Sequence, residues 1–117
     1  MEDSLTGIDH TVITELRSLP ARGSPNLFVK LVGLFQASSA ESLSQLQTAL
    51  QMSATGQAAA ICHRLKSAAG NIGAVAFAQE VHRIEKLCIE GDPARARELL
   101  AELQAAHPTL LAELARA

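Results

Sequence analysis

The sequence predicts an all-α protein: an antiparallel up-down four-helix bundle with an additional short N-terminal helix. Three observations carry this expectation. Apolar residues recur at steps of three and four, the helical period, and nowhere alternate convincingly with period two. Five such segments are separated by brief turns rich in glycine, proline and capping residues. Finally, 48% of residues are apolar, yet there are only three Phe and no Trp or Tyr. A core of Leu, Ile, Val and Ala suits close helix packing better than a sheet sandwich.

At 117 residues the chain is expected to form one domain over 1–117, with a core spanning about 8–115. The first helix is expected to start at Asp9 as N-cap and reach about Leu19, with Ile8, Val12, Ile13, Leu16 and Leu19 inward. Pro20 and Gly23 end it. Ser24-Pro25 reads as a capping hydroxyl followed by proline in the first turn, opening a long arm over 24–52. Its stripe is Leu27, Phe28, Leu31, Leu34 and Phe35, then Leu43, Leu46, Ala49 and Leu50. Ser38-Ser39-Ala40-Glu41 has the form of a capping box, which would allow a break or kink, but the stripe carries through it and 24–52 reads as one arm.

Ser53 or Thr55 is expected to cap a third helix over about 56–70, and Gly70, Asn71 and Gly73 to form the turn after it. The fourth helix is placed at about 74–90, with Phe77, Val81, Ile84, Leu87 and Cys88 inward and Gly91 closing it. Asp92-Pro93 repeats the cap-and-proline start for a last helix. That helix carries Ala96, Leu99, Leu103, Ala106, Leu110 and Leu114, and Pro108 is expected to kink it.

Composition excludes several functions. A net charge of -2 does not favour binding to nucleic acid or an anionic membrane, and the scarcity of aromatics argues against a base-stacking platform. From Ile61 to Cys88, however, the local balance is +2, so an acidic partner is expected at that end. Cys62 and Cys88 are too far apart for a Cys-x-x-Cys motif and are expected to be reduced packing residues. No run is apolar enough to span a membrane and no secretory signal is recognised. A cytoplasmic monomer is expected.

The third helix carries the candidate chemistry. Ile61, Leu65, Ala68, Ala69 and Ile72 share its inner face, and His63 falls opposite. Around His63 on that outer face lie Ala59, Ala60, Lys66, Ser67 and Gly70, of which only Lys66 is bulky. An uncrowded imidazole beside a cation suits a nucleophile that a second macromolecule must reach, although an isolated surface histidine has the same periodicity.

The run His63-Arg64-Leu65-Lys66-Ser67-Ala68-Ala69-Gly70-Asn71-Ile72-Gly73-Ala74 resembles the signature of histidine-containing phosphotransfer domains. Every defined position fits; Ser67 stands where glycine is more usual and is still small. The resemblance implies that His63 is the phosphorylated residue and that Glu85, on the next helix, bonds the imidazole nitrogen that is not phosphorylated. Such an acceptor fixes the tautomer and leaves Nε2 free to attack. Lys66 would screen the phosphoryl oxygens, while Ala59, Ser67 and Gly70 keep the site accessible.

The implied partners are response-regulator receiver domains and a sensor kinase, which the resemblance allows to be part of the same full-length chain. The chain has no cofactor of its own in this reading, and Mg2+ belongs to the receiver. With no glycine-rich phosphate loop, phosphate from ATP is not expected. Two other classes of function remain open: a non-catalytic helical interaction module, and a metal-binding bundle using His82 and Glu85, three residues apart.

Overall fold

A computed structural model describes residues 4–18 and 27–117. Among these residues there are only helices: a 3-10 turn at Ser4–Thr6, α1 (His10–Ser18), α2 (Leu27–Gln51), α3 (Thr55–Asn71), α4 (Val75–Ile89) and α5 (Pro93–Arg116). Helices α2 to α5 pack on their chain neighbours, and α2 closes the ring against α5. The result is the expected bundle. Its core is aliphatic, with Leu46, Leu50, Val81, Ile84, Leu103, Leu110 and Leu114 fully buried. Phe77, also fully buried, meets Phe35 edge-on at 6.0 Å.

One backbone device makes all three turns between the bundle helices. Ser53, Gly73 and Gly91 have φ of +54°, +86° and +81°. After each, the chain turns back to the closing helix: Ala54 N–H donates to Ala49 O (2.8 Å), Ala74 N–H to Ala69 O (2.9 Å) and Asp92 N–H to Leu87 O (2.8 Å). These bonds satisfy the carbonyls that a helix end leaves open. Arg97 of α5 adds a bond from its guanidinium to Leu50 O, 2.8 Å away, at the end of α2.

Several local expectations hold. Asp9 caps α1, accepting from Thr11 N–H at 2.9 Å, and Asp92 caps α5, accepting from Arg95 N–H at 3.1 Å. Others are corrected. Neither Ser53 nor Thr55 caps α3; its N-cap is Ala54, with no side-chain bond, because Ser53 is occupied in closing α2. Through Ser38–Glu41, however, α2 is continuous, in keeping with the single long arm expected there, and Ser38 and Ser39 turn their hydroxyls back to the carbonyls of Phe35 and Gln36. Leu34, placed on the inner stripe, is 67% exposed. Pro108, where a kink is expected, lies within α5 on its exposed side, and the helix continues past it. Leu19, Pro20, Gly23 and the expected helix start at Ser24-Pro25 lie outside the described residues.

The N-terminal segment fastens to the α3–α4 end of the bundle. Asp9 N–H donates to Gly73 O at 2.8 Å, and Ala76 N–H to Gly7 O at 3.4 Å. A Cβ at Gly73 would stand 3.1 Å from Asp9 O, whereas one at Gly91 would meet open space. Both glycines have positive φ, so alanine at either costs about 1 kcal/mol in backbone strain. Gly73→Ala is expected to cost about 2–3 kcal/mol because it also pushes against Asp9. Urea unfolding of the two variants measures the difference; equal losses would mean that the close approach is harmless.

A buried polar pair joins α2 to α5. Ser39, fully buried, lies 2.8 Å from His107 Nε2, and the His107 ring is 6.0 Å from Phe77. Burial lowers the His107 pKa below its usual 6.5, so the native state favours the neutral ring while the unfolded chain binds a proton more readily. This contribution to stability is therefore complete above about pH 6.5 and is lost as pH falls from there toward the folded-state value. Denaturant midpoints at pH 7 and pH 5 are expected to converge in His107→Gln relative to the wild type. An unchanged pH dependence in that variant would exclude His107 as the source.

Candidate functional site

The α3–α4 hairpin brings the sequence-predicted residues together. Helix α3 buries Ile61, Cys62, Leu65 and Ala69, which turns His63 outward with its side chain 68% exposed. Ala59 and Gly70 are half-buried and Ser67 is exposed, and none covers the imidazole with a large side chain. The Ser67 hydroxyl donates to His63 O at 3.2 Å, so its contribution to the site is its small size. His63 stands midway along α3, eight residues from both Thr55 and Asn71.

Helix α4 buries Phe77, Val81, Ile84 and Cys88, and Glu85 follows Ile84 around the helix toward α3. Its side chain is 13% exposed, and its two oxygens have different neighbours. Oε2 faces His63 Nδ1 at 3.5 Å. Oε1 accepts from Lys66 Nζ at 2.7 Å. The first separation is longer than a formed hydrogen bond, as is common in a resting site that tightens on binding.

Burial alone would raise the Glu85 pKa. The hydrogen bond and charge of Lys66, helped by His63 and His82, outweigh it and hold the carboxyl below its ordinary 4.5. The carboxylate is thus ionised near neutrality and placed to accept from Nδ1–H. An acceptor facing Nδ1 favours the tautomer in which Nε2 carries the lone pair. The Lys66 charge first offsets Glu85, so an incoming anion does not meet an uncompensated carboxylate.

Sequence reasoning anticipated His63, Lys66 and Glu85 but not two other features. His82 joins the cluster: its Nδ1 is 3.2 Å from Lys66 Nζ and 3.6 Å from Glu85 Oε1. Its spacing from Glu85 was visible, but its contact with Lys66 depends on the register of α4 against α3. Glu80 is buried at 5% exposure and bonds Arg83 at 3.2 Å; its position three residues after Phe77 and four before Ile84 was the available signal.

The alternative chemistries gain no support here. Cys62 and Cys88 are both buried and free. Burial, with smaller contributions from Cys88 and Glu85 that exceed the opposing effect of Lys66, pushes Cys62 up to about 12. A thiol so held is a poor nucleophile. Among the described residues no group of three His, Cys, Asp or Glu side chains is arranged to hold a metal, and no helix is long and apolar enough to cross a membrane.

An antiparallel bundle that exposes one histidine among small residues, with a carboxylate behind it, defines a helical histidine-presenting domain. The Hpt domain family matches residues 30–117, and the chain belongs to that family. Phosphorelay histidine phosphotransfer, with receiver domains as the interacting class, is therefore its general function. No curated protein and no solved structure matches the chain.

Proposed function

We propose that His63 is the phosphoryl carrier, taking the group from an aspartyl phosphate on one receiver domain and passing it to the aspartate of another. The observation that carries this reading is the disposition of the ring: Nδ1 faces Glu85 at 3.5 Å while the side chain as a whole is 68% exposed. In the forward step Nε2 forms the N–P bond as the P–O bond to the receiver aspartate breaks. The aspartate leaves as a carboxylate, and the Nδ1 proton stays on the ring, facing Glu85. Transfer to the second receiver reverses these events.

Lys66 supports the step by balancing charge as the phosphoryl oxygens arrive. Little covalent apparatus is needed when two docked proteins align donor and acceptor. Mg2+ belongs to the receiver in this scheme. The reaction takes place in the cytoplasm, between the bundle as a monomer and receivers supplied with phosphate by a sensor kinase.

Incubating the chain with a phosphorylated receiver tests the proposal. The expected result is transfer of label in an acid-labile, base-stable linkage, mapped by mass spectrometry to a peptide containing His63. No transfer, or label mapped elsewhere, would overturn the assignment.

A further inference from the structure

We propose that His82 is a positioning residue for phosphoryl transfer: its Nδ1 holds the Lys66 ammonium against one oxygen of Glu85 and so reserves the other for His63. The proposal rests on His63 being the carrier. It begins from how the Glu85 carboxylate is divided, with Oε1 taken by Lys66 at 2.7 Å and Oε2 facing His63 at 3.5 Å. A lysine on a flexible four-carbon arm can bridge both oxygens, and in doing so would compete with the imidazole for the acceptor it needs.

The second contact of Lys66 restrains it. Its Nζ lies 3.2 Å from His82 Nδ1. An ammonium only donates, so Nδ1 must accept, which places the neutral ring's proton on Nε2. With one N–H directed to Glu85 Oε1 and one to His82, the ammonium is fixed on the Oε1 side, and its third N–H remains for an incoming anion. His82 is 53% exposed on its side chain, so packing gives little reason for this geometry.

His82 has no need to touch the phosphoryl group. Its effect passes through Lys66 and Glu85, which makes the geometry of its acceptor the property to test. Asparagine places its Oδ1 close to where Nδ1 stands. Glutamine places an acceptor farther out, near Nε2, and leucine removes it.

Single-turnover transfer from a saturating phosphorylated receiver to the full chain distinguishes these cases. His82→Leu is expected to transfer about fivefold more slowly with unchanged receiver affinity. His82→Asn should recover to within about twofold of the wild type, and His82→Gln should remain slow. In a Lys66→Met background, His82→Leu should have no further effect, because the residue acts through the ammonium.

Wild-type rates in His82→Leu would overturn the positioning role while leaving His63 as carrier, provided that the wild-type label still maps to His63. Equal rates for the Asn and Gln variants, or a full additional loss in the Lys66→Met background, would do the same. A wild-type chain that takes no label on His63 overturns both proposals.

Discussion

His63→Gln is expected to abolish the acid-labile, base-stable label acquired from a phosphorylated receiver, whereas His82→Gln keeps the label and acquires it more slowly. The expectation is categorical for His63 because no other group can replace its nitrogen. Of the remaining histidines, His10 begins α1, next to Asp9, which bonds Gly73 in the α3–α4 turn, so it lies at that end of the hairpin and not at the middle of α3 where His63 stands. His107 is engaged with Ser39 at 2.8 Å between α2 and α5. His82 is the serious competitor, being exposed and beside Glu85. Its Nδ1 is occupied by Lys66 at 3.2 Å, and Arg83 and Lys86 flank it on α4. The side chain at position 63 is 68% exposed, so glutamine there should leave the thermal midpoint nearly unchanged. Label persisting in a folded His63→Gln protein would refute the carrier assignment.

Glu85→Ala is expected to slow transfer about tenfold without unfolding the bundle. Two effects oppose each other in this variant. Losing the acceptor behind Nδ1 removes the preference for the reactive tautomer and the stabilisation of the cationic phosphoimidazole. Losing the negative charge frees Lys66 to act more strongly on an anion. The first effect should dominate, because it acts on the nucleophile itself, whereas a Lys66 ammonium released from Glu85 can turn out to solvent, where water screens its charge. The rate of the phosphohistidine-forming step, measured against receiver affinity, separates them: affinity should hold or rise while the rate falls. Wild-type kinetics would reduce Glu85 to an anchor for Lys66.

The elements of the fold were legible because their signals are local. Ile61, Leu65, Ala69 and Ile72 mark the buried face of α3 by spacing alone, and the same spacing turns His63 outward. Asp9 and Asp92 announced helix starts through cap chemistry. What spacing leaves open has a common cause: it is decided by contacts across the bundle. Ser38-Ser39-Ala40-Glu41 has capping-box form, but Phe35, Leu43 and Leu46 pack on both sides of it and hold α2 continuous. Ser39 is then buried and bonded to His107, 68 residues away in sequence, a pairing no local pattern reveals. Ser53, expected with Thr55 as one of two possible caps for α3, closes α2 instead; a left-handed serine has no sequence signature comparable to glycine. The Lys66–His82 contact likewise follows from helix register, which spacing within either helix leaves undetermined.

The position of His63 at the centre of α3, far from both helix ends, has a consequence for energy transmission. Backbone charge is concentrated in the first and last turns of a helix, and sites that retain phosphate tightly use the amides there. A phosphoryl group on His63 would find no such cradle, only the Lys66 ammonium and solvent. The carrier would hold its cargo shallowly and preserve the group-transfer potential that the cargo brought. If His63 is the carrier, net flow through such a relay would be governed by the relative abundance and turnover of the proteins on either side, and the same bundle would serve forward and reverse traffic.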